Sequence, residues 1–473
     1  MGLEVEKVDF KNEDFLNFFY SLEKESLLLK NWIENKSLSE KGHSLGTELE
    51  TWIVDQNKQP NDINLKLLSH MNNHQMVPEL SKYNVEINGT PHFLSEHVFS
   101  EMGAELQNLL HQLHRGAENF NSSILTVGIL PTLKKSSLSP SAMTPYKRYM
   151  ALNDALIRLK QTQSFQVHVS GKDIFRSYEK NIMLASAATS FQFQWKIPFS
   201  LSRRVINALQ ILTPASVALS ANSPFVFKNQ LWQESRIPIF EHSVVGAPHL
   251  GQLKRRASFG SGYIHESVFE YFLENLLHFP ILLPVQFDSP LEELAHLNLH
   301  NGTIWRWNRP IIGFDRDGTP HVRVEHRAMS SGPTIDDSLA TMAFVMGASM
   351  ALAHTPFPYE HQLPYSLLVR NFYNAARKGL TSKQSWVGGN QVDLYKLIKE
   401  VLIPLSVEGL KMMNIDAGEI EYYIYEIIHQ RVKSMQTGAD WQINFINKTN
   451  NFKKLTEVYY ENQISNKPVH TWT

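Results

Sequence analysis

Four short segments carry side chains suited to chemistry at every second position. In an extended strand, residues i and i+2 project from the same face. Glu48 and Glu50 therefore share a face in Leu45-Gly46-Thr47-Glu48-Leu49-Glu50-Thr51-Trp52, and Glu86 and Asn88 share one in Val85-Glu86-Ile87-Asn88. Gln166, His168 and Ser170 align in the same way, as do Arg323, Glu325 and Arg327. The opposite face of each segment is partly or wholly apolar. For any one segment, a sheet with one packed face and one wet face is a sufficient account. The four together carry carboxylates, a histidine and arginines, where a wet face would mix Lys, Thr, Ser and Glu. Like-charged carboxylates on one strand repel unless cations lie between them. Magnesium prefers carboxylate oxygens together with substrate phosphates. Arginine forks match phosphate or carboxylate. Side by side, such strands would make a metal–nucleotide platform.

The elements that must position these residues follow from periodicity. Strands are predicted near 45–54, 83–88, 165–170 and 322–328. Residues 1–40 read as helical, with Phe15, Phe18, Phe19, Leu22, Leu27 and Leu28 at helical spacing. Further helices are predicted over about 96–120 and 145–160, the second with Thr144 as N-cap and Pro145 at the first position. Another follows Thr334, where Asp337 has capping-box spacing. Beyond about 361 the pattern is helical, ending in a polar, Asn-rich tail expected to fray. The expected organisation is a helical appendage at 1–40, a catalytic domain at 41–360 and a helical region at 361–473.

Composition excludes several classes of function. The 473 residues hold 45 Lys plus Arg against 46 Asp plus Glu, which gives no electrostatic argument for nucleic acid or an anionic membrane as partner. Without cysteine there is no disulfide, Cys-type zinc site, iron–sulfur cluster or thiol nucleophile. The longest apolar run, Leu339–Ala353, is too short for a membrane span and reads as a buried helix. The acidic start lacks a signal-peptide pattern, so the expected location is cytoplasmic. His296 and His300 sit four apart but lack the glutamate of a metalloprotease helix. Phe259-Gly260-Ser261-Gly262-Tyr263 lacks nucleotide-loop spacing and reads as a loop. Ser21-Leu22-Glu23-Lys24 reads as helix surface. Trp305 and Trp307 read as core aromatics, with stacking on adenine as the other reading.

The same segments resemble glutamate–cysteine ligase family 2, carboxylate–amine ligases of the glutamine synthetase-like superfamily. Gly46–Asp55 is similar to its opening G-x-E-x-E strand. Glu79-Leu80 with Val85–Asn88 is similar to its second acidic strand, and Gln166–Val169 to its H-V-H strand. Ser220–Phe225 is similar to its A-N-S-P-F loop, and Thr303–Pro310 to its T-x-W-x-x-x-R-P segment. Val324–Arg327, with the helix after Thr334, resembles its L-E-x-R strand; Gly438–Gln442 is similar to a late helix. The resemblance spans roughly residues 43–445. It implies an α+β fold: a curved, largely antiparallel sheet forming a funnel-like site, surrounded by helices. It further implies ATP-dependent formation of an amide, such as γ-glutamylcysteine of glutathione biosynthesis, through an acyl phosphate.

By that resemblance, Glu48, Glu50, Glu86, His168 and Glu325 would hold two or three Mg²⁺ ions, with Mn²⁺ an alternative. Glu325 and Arg327 would be catalytic. His168 and Arg327 would also contact ATP. Arg309, Arg236 and Arg306 would grip the amino-acid substrate. The partners implied are ATP, an amino acid and an amine, with a homo-oligomer left open. Two positions depart from the family pattern: Gln166 replaces the first His of H-V-H, and Gly89 interrupts Asn-Thr-Pro-Pro. They motivate an alternative, a non-catalytic relative that binds a metabolite; a phosphotransferase on the same fold is another.

Overall fold

The computed structural model describes residues 4–160, 164–244 and 255–473. Its centre is an eight-stranded antiparallel sheet, curled into a half-barrel. In chain order its strands are β1 (Ser44–Val54), β2 (Met76–Pro78), β3 (Asn84–Asn88), β4 (His92–Phe93) and β5 (Ser123–Leu125). A separate hairpin follows, β6 (Phe165–Ser170) with β7 (Ile174–Glu179). The sheet resumes with β8 (Phe191–Ile197). A second small hairpin, β9 (Phe225–Val226) and β10 (Asn229–Gln230), precedes the last two sheet strands, β11 (Asn308–Phe314) and β12 (Pro320–His326). The spatial order is β11-β12-β8-β1-β3-β2, with β4 and β5 also paired to β1.

Strand alternation decides the layers. Phe191, Phe193, Trp195 and Ile197 of β8 are buried on one face with Val322 and Val324 of β12. The helix Phe199–Leu219 packs there, and its Ser216 hydroxyl meets His326 Nε2 at 2.8 Å. Against it lies Ile335–His354, mostly apolar and buried from Ile335 to Ala353. Among the described residues it is the one helix long and apolar enough to cross a membrane, and here it is the core. Its first turn follows the sequence: the Thr334 hydroxyl accepts the Asp337 N–H at 3.1 Å.

Several boundaries differ from expectation. The first helix is Asn12–Glu34, and its Glu25 reaches the start of the helix Ala295–Gly302. The Glu25 carboxylate accepts the backbone N–H groups of His296 and Leu297 and pairs with His296 Nδ1 at 2.6 Å. His296 is thereby committed to an acid, while His300 Nε2 faces the Asn275 carbonyl at 3.0 Å, so the two imidazoles do not share a ligand. The helix expected from Pro145 begins at Lys147, because the Thr144 hydroxyl donates to the Glu79 carbonyl instead of capping. The tail is ordered as two helices, Gly438–Thr449 and Phe452–Ile464. A Thr437–Asp440 capping box starts the first, and Tyr459 and Trp472 are buried against Trp441.

Candidate active site

The concave face of the sheet opposes the buried aromatic face of β8. It lines a cavity of about 640 Å³. Register fixes which side chains meet there. Glu50 lies opposite Glu86, Glu48 opposite Gln192, Glu325 opposite Gln194, and Arg309 opposite Glu325. Directly opposed residues share a face, so the strand order converts into a row across the cavity: Arg309, then Glu325, then two glutamine amides, then Glu48 and Glu50, then Glu86.

One end of the row is cationic. Glu325 is buried and accepts from Arg309 Nε at 2.9 Å and Arg327 Nη1 at 2.9 Å. Burial alone would raise its pKa, but Arg309 and then Arg327 outweigh that and hold it at about 2. Glu325 therefore keeps its charge.

The other end is acidic. Glu48, Glu50, Glu79 and Glu86 all line the cavity, and among the described residues none forms an ion pair. Desolvation raises each to about 7, and a neighbouring carboxylate adds to it: Glu86 for Glu48 and for Glu50, Glu50 for Glu79, and Glu79 for Glu86. The Glu79 and Glu86 carboxylates are neighbours, and a proton shared between them relieves their repulsion. Asn88 Nδ2 donates to Glu86 at 2.9 Å.

The middle strand joins the two ends. Gln194 Nε2 donates to Glu48 at 2.6 Å and Gln192 Nε2 to Glu50 at 3.1 Å. Gln192 Oε1 accepts from Arg327, and the Ser190 backbone N–H donates to Glu50 at 2.6 Å. Arg148 and Tyr149 close the acidic end, and Trp305 lines the wall while Trp307 is in the core, its Nε1 donating to Glu241 at 2.9 Å.

The cavity therefore gathers Glu48, Glu50, Glu86, Glu325, Arg327 and Arg309. It does not gather the other three sequence candidates. His168 is exposed on the β6–β7 hairpin, which among the described residues pairs with no strand of the main sheet, and its ring nitrogen meets Ser170. Arg236 is buried in an ion pair with Glu234 at 2.9 Å. Arg306 is buried against Glu274 and Asn275 at 2.8 and 2.9 Å and lies over the Tyr271 ring. Both arginines outside the cavity are committed to protein partners. Gln192, Gln194 and Glu79 are site residues that the sequence reading passed over. The alternation Phe191-Gln192-Phe193-Gln194-Trp195 would have announced the first two as one polar face of a strand.

Among the described residues, no three His, Asp or Glu side chains already converge as a preformed metal cage. The donor set nevertheless suits a hard divalent cation. It is all oxygen, it is short of positive charge, and its protons sit where a cation would remove the repulsion.

Gln166 and Gly89, the two departures from the family pattern, do not line the cavity. Gly89 is where β3 leaves the sheet against Thr47; a Cβ there would collide with the Thr47 hydroxyl.

Comparison with known proteins bears on the family and the fold. A family model for glutamate–cysteine ligase family 2 matches residues 44–456. No curated protein matches the sequence significantly. Among solved structures, the chain is similar to glutamate–cysteine ligase of Francisella tularensis in complex with AMP. The TM-score is 0.60 at 13% identity, over 90% of this chain and 89% of that one. It is also similar to a bifunctional glutathione synthetase from Pasteurella multocida, with a TM-score of 0.55 at 11% identity, over 93% of this chain and 54% of that one.

Proposed function

The chain belongs to glutamate–cysteine ligase family 2, a family of ATP-dependent ligases, and from that premise we propose that it joins the γ-carboxylate of glutamate to an amine such as that of cysteine through an acyl phosphate. The observation that carries this reading is the division of one cavity into an arginine-bound carboxylate and a group of four acids that form no ion pair among the described residues. A carboxylate is a poor electrophile, and phosphorylation turns it into a good one. That transfer is helped mainly by positioning and by neutralising charge.

Glu48, Glu50 and Glu86, with Glu325 across the row, would hold Mg²⁺, and Glu79 joins them as a candidate. The ions supply Lewis-acid charge neutralisation on phosphate oxygens when bound. The protein residues do the rest. Arg327, held in place by Glu325 and Gln192, presents a guanidinium to the transferring phosphoryl group. Arg309 offers a second one for the incoming carboxylate. Gln192 and Gln194 fix the orientation of Glu50 and Glu48 before any ligand arrives. The amine can release its proton after attack, so no dedicated base is needed.

The test is ADP release by purified protein with Mg-ATP across pairs of amino acids and amines, with mass spectrometry of the product. Release that requires both glutamate and an amine, with an amide product, supports the reading. Protein that binds Mg-ATP yet shows no such dependence refutes it, and a phosphorylated product in place of an amide identifies a phosphotransferase.

A further inference from the structure

The guanidinium groups beside Glu325 are unequal. Arg309 and Arg327 both share the Glu325 carboxylate. Arg323 is two residues earlier on the same face of β12 and lines the same cavity. It makes no ion pair or side-chain hydrogen bond among the described residues, and its Nε is buried without a partner. Its Nη1 lies beside Gly313, where an added Cβ would stand 3.0 Å away, so the absence of a side chain on β11 leaves room for the guanidinium.

A second uncommitted group faces the cavity. Asn298, on the helix Ala295–Gly302, has an amide with no hydrogen bond among the described residues and a buried Oδ1. The next turn of that helix is tied to β11: Asn301 Nδ2 donates to the Pro310 carbonyl at 2.8 Å and Arg309 Nη1 to the Gly302 carbonyl at 3.1 Å. Asn298 thus stands at the β11–β12 wall, as Arg323 does. A partly desolvated cation and an amide without partners are costly unless a ligand pairs with them.

We propose that Arg323 and Asn298 form the subsite for the α-carboxylate and α-ammonium of the amino acid whose side-chain carboxylate is activated beside Arg309 and Arg327. This rests on the ligase reading above and extends it to substrate selection. The register supplies the order. Two residues along β12 set the Arg323 and Glu325 backbones roughly 6.6 Å apart, with the Arg323 head leaning further off toward Gly313, so the two ends of a dicarboxylic amino acid would meet different groups. Arg323 takes the far carboxylate through its fork, and the Asn298 amide oxygen accepts from the ammonium group. A substrate without an α-carboxylate loses the first contact, and one without an α-amino group loses the second.

The test measures kcat and KM for L-glutamate, and inhibition by γ-aminobutyrate and glutarate, with cysteine and saturating Mg-ATP. The first analogue lacks the α-carboxylate and the second lacks the α-amino group. Arg323→Gln is expected to raise the KM for L-glutamate about 10- to 100-fold, with kcat nearly kept and inhibition by γ-aminobutyrate unchanged. Asn298→Ala is expected to raise that KM by a smaller factor and leave inhibition by glutarate unchanged. Arg323→Gln that weakens L-glutamate and γ-aminobutyrate equally, or neither, overturns the proposal. If Arg323→Gln does not fold, the Asn298→Ala comparison decides in the same way. Wild-type protein active with glutamate alongside variants without this selectivity sinks the subsite alone. Wild-type protein inactive with every glutamate–amine pair sinks the ligase reading and the subsite with it.

Discussion

The two ends of the cavity hold the same chemical group under opposite conditions. Glu325 is buried, yet it stays ionised because two guanidinium groups share it. Glu48, Glu50, Glu79 and Glu86 sit a few strands away with one another for company, and their protons are held to about 7. Desolvation is common to both ends; the supply of positive charge is what differs. The first end is complete within the protein. The second, with no ion pair among the described residues, keeps its protons instead.

The largest test of this contrast is at the junction. Arg327→Ala is expected to lower kcat for ADP release about 10³-fold, with Mg-ATP binding measured separately by calorimetry; a loss under tenfold would remove the arginine from the phosphoryl-transfer step. At the acidic end, Glu86→Gln is expected to weaken the Mg²⁺ dependence of activity at least ~10-fold, since even an outer partner of a metal costs that much. An unchanged Mg²⁺ titration would take Glu86 out of the cation site.

The pH dependence of stability separates the ends without any assay of activity. The four acids carry folded pKa values of about 7 against 4.5 unfolded. Between those values the folded state holds protons that the unfolded state has released, so stability falls as pH rises from about 4.5 to about 7. Glu325 runs the other way: its contribution is present above about 4.5 and is lost as pH falls toward 2. Without divalent cations, the Tm by scanning calorimetry is expected to be on the order of 5 °C lower at pH 8 than at pH 5. Added Mg²⁺ is expected to recover part of it at pH 8. A Tm independent of pH over this range would erase the contrast.

The smallest effect concerns an arginine outside the row. Arg306→Lys breaks a planar contact with Glu274 and Asn275 and is expected to lower the Tm by about 1–2 °C. The KM for glutamate should stay within about twofold. A larger KM change would return Arg306 to substrate binding.

The acidic strands were legible because period-two alternation is a local property of the chain, and so was the helix after Thr334, whose cap and apolar length are written in adjacent residues. What was not legible depended on partners distant in sequence. Arg306 reads like Arg309 until Glu274, thirty-two residues earlier, is found to hold it. His168 alternates like Glu48, but its strand pairs only with its neighbour β7, and pairing is not written in a single strand. Gln192 and Gln194 were passed over for a different reason. Their amides look unremarkable alone and acquire a role only between a carboxylate on one side and an arginine on the other. The tail is polar and rich in Asn, which reads as a fraying end, but its Asn450 and Asn451 are not loose. They are instead the cap residues between two helices.

The base of the buried helix has a consequence for synthesis. The Asp337 carboxylate is fully enclosed, paired with Arg431 at 2.5 Å and accepting the Val469 backbone N–H at 3.0 Å, a donor 132 positions further along the chain. A nascent chain that has just delivered Glu325 and Arg327 still lacks both of these partners. The first turn of the half-barrel's supporting helix therefore stays without these partners while the ribosome is adding the next hundred residues.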